Sequence, residues 1–379
     1  MRPYIAREWR RCCADPRRFA FLFGAALVYL VLFAVLFAPN IITEVPCVIY
    51  DEDQSALSRK LAQKFEDNER FGIIAYAATQ EETLALLREK EALAAIVIPK
   101  GFAKSIQTGS YTTLLCVANG ANLMPIGAAT GDGENIAAEF SDEIALRREE
   151  LRTGRNEAAL GNRVVPVRHE LRVLNNPTQG YRYFYLLGLL VAALQQGIFF
   201  ATGAAVCSES TSQEKTRPTV RLFLAKAVFY WLLSMAAFSM LLLCIVYALD
   251  IPLKAHTGEM FLAGGAFVFA TVSLGLAFAS FFSDEETFAR ASIMYPLLGF
   301  IVSGYTYPLM AMPPALQNAA RLLPQTWFAN IFRELFLAGH SPQAWEGMAA
   351  MAAVGVFCLL VGCARFSAKG RGSEMGHAS

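Results

Sequence analysis

The chain has 379 residues, 55% of them hydrophobic and only 17% charged, where soluble domains carry about 25% charge. That balance excludes one or two ordinary soluble domains, and a net charge of +1 gives no global attraction for a polyanion, which excludes nucleic acid as a partner.

Charge is unevenly placed. Residues 39–182 hold 20 acids and 16 bases, a quarter of their positions, whereas the other 235 positions hold 29 charges, an eighth. The charge-poor part contains apolar runs near 20 residues long, enough for a helix to cross roughly 30 Å of hydrocarbon. The sequence therefore predicts an α-helical polytopic membrane protein with six transmembrane helices and an inserted extracytoplasmic α/β domain.

In chain order, residues 1–18 place Tyr4, Ile5, Trp9, Cys12 and Cys13 among six arginines, as in an amphipathic helix lying in the cytoplasmic interface; a plain positively charged flank is the alternative. The first span is 19–38. A signal peptide competes with it, but such apolar regions run about 7–15 residues and end in a small-residue cleavage site, which Phe37-Ala38-Pro39-Asn40 does not resemble.

The soluble insertion, 39–182, alternates strands and helices. Val45–Tyr50, Phe71–Tyr76, Ala94–Ile98, Thr112–Ala118 and Val165–Val173 read as strands. Leu57, Leu61 and Phe65 mark one helix face, Thr79 and Glu82 a capping box, and Ile136, Phe140 and Ile144 another helix face. Asp51, Glu52 and Asp53 read as a turn and helix N-terminus, not as acid/base or metal groups, and His169 as a packed histidine. The domain is expected to dock or recognise, not to catalyse. Cys47 and Cys116 fall on predicted strands in a compartment that permits a disulfide; two separate buried thiols are the alternative.

The remaining spans are 183–206, 222–249, 260–282, 291–310 and 347–364, with outer re-entrant helices at 313–338 and a cytoplasmic tail at 365–379. With the N-terminus inside, thirteen Lys and Arg flank the spans on the cytoplasmic side against Lys254, Arg321 and Arg333 outside, and the positive-inside rule puts both termini in the cytoplasm. Lys226 is the only charged residue within a span and is expected to snorkel to the cytoplasmic interface. Gln195 and Gln196 form the most polar pair in mid-membrane, read either as an interhelical hydrogen bond or as a pathway contact.

No Gly-x-Ser-x-Gly, His-Glu-x-x-His or Cys-x-x-Cys occurs in the sequence, and no Gly-x-x-x-x-Gly-Lys-[Ser/Thr] phosphate loop, so the usual nucleophile, zinc and nucleotide signatures are missing. Three places are more specific: the arginine-rich start; the polar loop Cys207–Arg217; and Ser303-Gly304-Tyr305-Thr306-Tyr307-Pro308 followed by Met312-Pro313, Leu323-Pro324 and Arg333–Gly339. Together with Asn176-Pro177 and Tyr181–Leu190 they resemble the type-2 permeases of ATP-binding-cassette exporters, in the six-span branch with a large extracytoplasmic domain between spans one and two.

The resemblance implies an efflux permease of the bacterial inner membrane, not itself an enzyme, without a cofactor of its own. ATP and magnesium would be bound by separate ATPase subunits beneath a pair of permeases, identical or not, with a periplasmic adaptor as a further partner. It implies ATPase-coupling roles for Trp9, Arg10, Glu209, Glu214, Lys215 and Thr216, although the loop lacks the glycine of the family's Glu-Lys-Gly-Thr. Pathway or outer-gate roles are read for Gln195, Gln196, Ser303, Gly304, Tyr305, Pro308 and Arg333. The uncharged spans point to an amphiphilic or hydrophobic cargo. A receptor or scaffold displaying the outer domain is the rival reading; a membrane-embedded enzyme would have only Glu334, His340 and Glu346 to work with.

Overall fold

The computed structural model describes residues 2–38, 43–118, 123–154, 182–211 and 219–375. The chain divides into two compact units, Ile41–Val173 and the combination of Met1–Asn40 with Leu174–Ser379. The expected strand at 165–173 with His169, the Asn176-Pro177 and Tyr181 positions, and Glu214, Lys215 and Thr216 lie outside the described residues.

The chain opens with α1 (Arg2–Ala14) and α2 (Pro16–Leu36), the latter containing a π turn at Ala20–Gly24. The α/β unit runs β1 (Val45–Asp51), α3 (Ala56–Glu66), β2 (Phe71–Ala77), α4 (Gln80–Arg88), β3 (Ala94–Ile98), α5 (Phe102–Thr108), β4 (Leu115–Ala118) and α6 (Leu123–Thr153). Its sheet has the order β2-β1-β3-β4, with β1 parallel to both neighbours and β4 antiparallel to β3.

Alternation along β1 sends Cys47 and Ile49 to one face, where they meet Leu61, Phe65, Phe102 and Phe140, and Val48 to the other, against Leu87 and Ala95. Ile136 and Phe140 of α6 are buried as their spacing requires. β4 is shorter than the expected 112–118. Its last pair is Leu115 with Val97, and the partner strand ends one residue later before Pro99, which has no N–H to offer a ladder.

Local capping differs in detail from the sequence reading. The Thr79 side chain accepts from Glu82 N (3.2 Å), but Glu82 reaches back past Thr79 to accept from Ala78 N (2.7 Å). Asp53 caps another helix: its carboxylate accepts from Gly101 N (2.9 Å) and Ala103 N (3.0 Å) at the start of α5. The Ser55 hydroxyl and these backbone N–H groups hold the Asp53 carboxyl below its usual range. A carboxyl depressed in the folded state stabilises above its unfolded pKa and loses that contribution as pH falls through the folded value. Asp53→Ala is therefore expected to cost about 1 kcal/mol near neutral pH, the typical worth of a cap, and less at about pH 3, below the unfolded carboxyl value of about 3.9, where the wild-type contribution has begun to fall. Hydrogen exchange of residues 101–106 checks this; an equal deficit at both pH values would contradict it.

The second unit continues with a π turn at Arg182–Leu186, α7 (Leu187–Thr211), α8 (Val220–Leu243) and its π turn Cys244–Ala248, α9 (Thr257–Ala279), α10 (Glu285–Val302), α11 (Pro314–Arg321), α12 (Pro324–Leu337) and α13 (Ala344–Met375). Among the described residues five helices are long and apolar enough to cross a membrane: Pro16–Leu36, Arg182–Glu209, Val220–Ala248, Thr257–Ala279 and Ala344–Ala368. Around the expected span at 291–310 the helix has other bounds. α10 starts earlier, with Glu285, Glu286 and Arg290 in its first turns, carries Pro296 inside, and stops at Val302 before Gly304 turns the chain at φ +80°.

Close approach of the helices explains several small residues. At Gly197 of α7 a Cβ would sit 2.8 Å from the Phe21 carbonyl oxygen of α2, a contact between backbones that no side-chain adjustment can relieve. α12, within the expected outer helices at 313–338, packs into the bundle. Phe328, Phe332, Leu335 and Phe336 are buried, and Phe328 stacks on Phe267 of α9 at 4.3 Å between ring centroids. With apolar side chains on most of its turns, α12 is an interior helix of the bundle. α11 matches better, with only Ala320 buried.

Candidate functional site

α1 is amphipathic in an unusual way. Its inward stripe, Tyr4, Ile5, Glu8 and Cys12, follows helical spacing, yet it includes a carboxylate that is fully buried. Opposite it stands Lys226 of α8, also fully buried, so the expected snorkelling of Lys226 is corrected: its ammonium turns inward. It donates to Glu8 Oε1 (2.6 Å) and the Ala205 carbonyl (3.0 Å) and lies 2.8 Å from Glu209 Oε1. Three acceptors surround its three protons.

Glu209, in the last turns of α7, is the hub. Arg11 donates to its Oε1 (2.6 Å) and Arg7 to its Oε2 (3.1 Å); Arg7 and Arg11 share a face of α1 because they are four residues apart. Alongside, Arg18 is buried and donates to the Tyr230 hydroxyl (3.1 Å), the Ser208 hydroxyl (2.9 Å) and the Ala204 carbonyl (3.4 Å). Arg18 also lies 3.5 Å from Asp15. Burial acts to raise the Asp15 carboxyl, but Arg17 and Arg18 outweigh it and hold the group below its usual range. Burial pushes the Cys12 thiol up to about 11. This cluster fastens α1 and the start of α2 to the ends of α7 and α8, and breaking such a buried pair typically costs about 3–5 kcal/mol.

The expected coupling residues therefore divide. Glu209 is inside the cluster. Trp9 is half exposed and touches Phe19 and Phe229 edge-on. Arg10 is exposed.

A second constellation gathers at the other end of α7 and α10. Ser303 Oγ donates to the Phe300 carbonyl (2.7 Å) and accepts from Tyr305 N (3.3 Å). Gly304, in the left-handed region, lets the chain reverse beneath Leu309, whose Cγ a Cβ at this position would meet at 2.4 Å. The Tyr305 hydroxyl donates to the Phe184 carbonyl. The Arg333 guanidinium lies over both rings, 4.9 Å from the Phe184 centroid and 4.6 Å from that of Tyr305, and donates to Asn330 (3.1 Å). Pro308 begins the short turn Leu309–Ala311. The structure thus brings Ser303, Gly304, Tyr305 and Arg333 together and adds Phe184 and Asn330.

Gln195 is fully buried in α7, its side chain beside the Tyr295 hydroxyl of α10, and Gln196 Nε2 has no hydrogen-bond partner. Gln325 of α12 is likewise fully buried and unpartnered. Cys47 and Cys116 are free thiols. β3 lies between their strands, a separation of about 10 Å at sheet spacing that no disulfide spans. Among the described residues no group of His, Cys, Asp and Glu is arranged to hold a metal.

Sequence reasoning missed Glu8, Arg18, Tyr230 and Phe184. Only Glu8 carried a readable signal, a carboxylate on the apolar stripe of an amphipathic helix.

The family model described as "ABC-2 family transporter protein" matches residues 17–364. The probable multidrug ABC transporter permease YbhR of Escherichia coli (strain K12) is 23% identical over 347 residues, 89% of each chain. The probable multidrug ABC transporter permease YbhS of the same organism is 21% identical over 278 residues, 69% of each. ABC transporter G family member 20 of Dictyostelium discoideum is 26% identical over 110 residues, 28% of this chain and 15% of that protein. With a match that runs from the start of α2 into the last apolar helix, this chain belongs to the ABC-2 family of transporter proteins.

Proposed function

We propose that the chain is the permease subunit of an exporter, worked by ATPase subunits on separate polypeptides. The observation that carries this is the buried ion cluster. A helix at the membrane surface has no need of two buried carboxylates and three cations to stay in place, since its apolar stripe suffices. The same charges make α1, α7 and α8 a single lever. A push on the exposed Trp9 and Arg10, or on the 212–218 loop with Glu214, Lys215 and Thr216, is then delivered to the membrane helices as a rigid-body tilt.

In this reading α10 also crosses the membrane, as the fifth of six spans, the termini and the cluster are cytoplasmic, and the Phe184–Tyr305–Arg333 cluster is the outer gate. The α/β unit faces the opposite side, where an adaptor can dock. Two permeases pair, and the cargo is an amphiphilic or hydrophobic molecule, as the name multidrug transporter given to the relatives accords with. Affinity purification from native membranes tests the central step: an ATP-hydrolysing subunit is expected to accompany the chain, and the double variant Glu214→Ala/Lys215→Ala to lose it. Purification with no such subunit, at full yield of intact chain, would favour the receptor reading.

A further inference from the structure

The α/β unit contains a cavity of about 410 Å³ that the permease reading leaves unused. Its origin is a mismatch of lengths. α5 is only seven residues and ends at Gly109 in the left-handed region, whereas α6, packed beside it, runs for 31. Beyond the end of α5 the chain crosses to β4 without regular structure, so the two helices and this crossing enclose a slot instead of a filled core.

The walls are Leu61, Phe102, Ile106, Leu114, Phe140 and Ile144, with the Phe102 and Phe140 rings stacked at 6.2 Å. The polar side chains of the lining are Ser110, Tyr111, Thr112 and Ser141, with Arg148 the one cation among them. Arg148, two turns beyond Ser141 on α6, brings its Nη1 over Gly109, where a Cβ would be 2.8 Å away, and donates to the Ile106 carbonyl at 3.5 Å. Among the described residues no carboxylate forms a salt bridge with it. A slot of this size with apolar walls and one convergent cation is the common form of a small-molecule site, and a guanidinium with free donors is matched to carboxylate or phosphate oxygens.

We propose that this cavity binds an acyl amphiphile with an anionic head, the chain lying against Phe102, Phe140 and Ile144 and the head on Arg148. The apolar walls favour a ligand with an acyl chain, and the one cation of the lining distinguishes an anionic head from a neutral one.

The test uses the full chain in nanodiscs with a photoreactive dodecanoate carrying a diazirine near its methyl end, and mass spectrometry of the labelled peptides. Labelling is expected within 102–114 and 137–148. It should fall about tenfold in Arg148→Gln, the scale of a lost charge-assisted hydrogen bond, while Arg148→Lys retains part of it. The dodecanol analogue should label as weakly as dodecanoate does in the Gln variant. A photoreactive phosphatidic acid serves as a second arm: Arg148-dependent labelling by it assigns the source as membrane lipid, and by dodecanoate alone as a free amphiphile, either of which upholds the site. Equal labelling by acid and alcohol, insensitivity to Arg148→Gln, or no label on these walls overturns it. Arg148 is on the surface, so its variants leave the fold intact, and none of these outcomes depends on transport.

Discussion

Lys226→Met is expected to abolish export and to release the ATPase partner. Methionine fills much of the lysine's volume but leaves the buried Glu8 carboxylate without its cation, a loss of about 3–5 kcal/mol for a broken buried pair. Since each 1.4 kcal/mol is a factor of ten, the docked arrangement of α1 is weakened by about a hundredfold or more. The informative comparison is Glu8→Leu/Lys226→Met, which removes both charges. Replacing a buried ion pair by apolar side chains of similar size is often neutral or stabilising, so the double variant is expected to restore membrane insertion and yield. If the charges also set how α1 moves with α7, through the Lys226 link to Glu209 (2.8 Å), export stays impaired in the double variant even though the fold returns. Drug accumulation in cells, read beside yield, separates the two. Full export by the double variant would reduce the cluster to packing.

Arg333→Leu is expected to lower export about tenfold with insertion and partner binding unchanged. The guanidinium sits on two aromatic faces within 5 Å, each contact contributing about 0.5–1 kcal/mol or more where water is excluded. Their sum is enough to shift an open–closed balance by a factor near ten and too small to unfold the bundle. Arg333→Lys keeps the charge but not the planar stack, and is expected to fall between the two. The proteolysis rate of the 303–312 turn, measured beside export, checks that the loss arises at this end. Unchanged export in Arg333→Leu would remove the gate from the account.

Much of the fold could be read from the chain because its periodicities are strong. β3 falls where Ala94–Ile98 predicts it, and the apolar runs become long helices, since both depend on local pattern and length alone. Most of the departures share a cause as well: they were decided by a partner distant in sequence, whereas the end of α10 is set locally. Lys226 looks like a snorkelling residue until Glu8, 218 positions away, is found beside it. α10 loses the end of its predicted span to a turn that Gly304 and Leu309 form together. The separation of Cys47 and Cys116 depended on strand order, which alternation does not fix. Of the candidate site, the arginines of α1 and the Ser303–Arg333 group were legible from composition and resemblance, whereas Glu8, Tyr230 and Phe184 entered through three-dimensional contact.

Reconstitution addresses the central claim most directly. The purified chain, alone and together with its ATPase partner, is placed in liposomes with a fluorescent amphiphilic substrate, and movement across the bilayer is followed with and without ATP. Transport is predicted only when partner and ATP are both present, and to vanish with Lys226→Met. Movement of the substrate by the chain alone, at a rate that ATP and partner leave unchanged, would contradict the account.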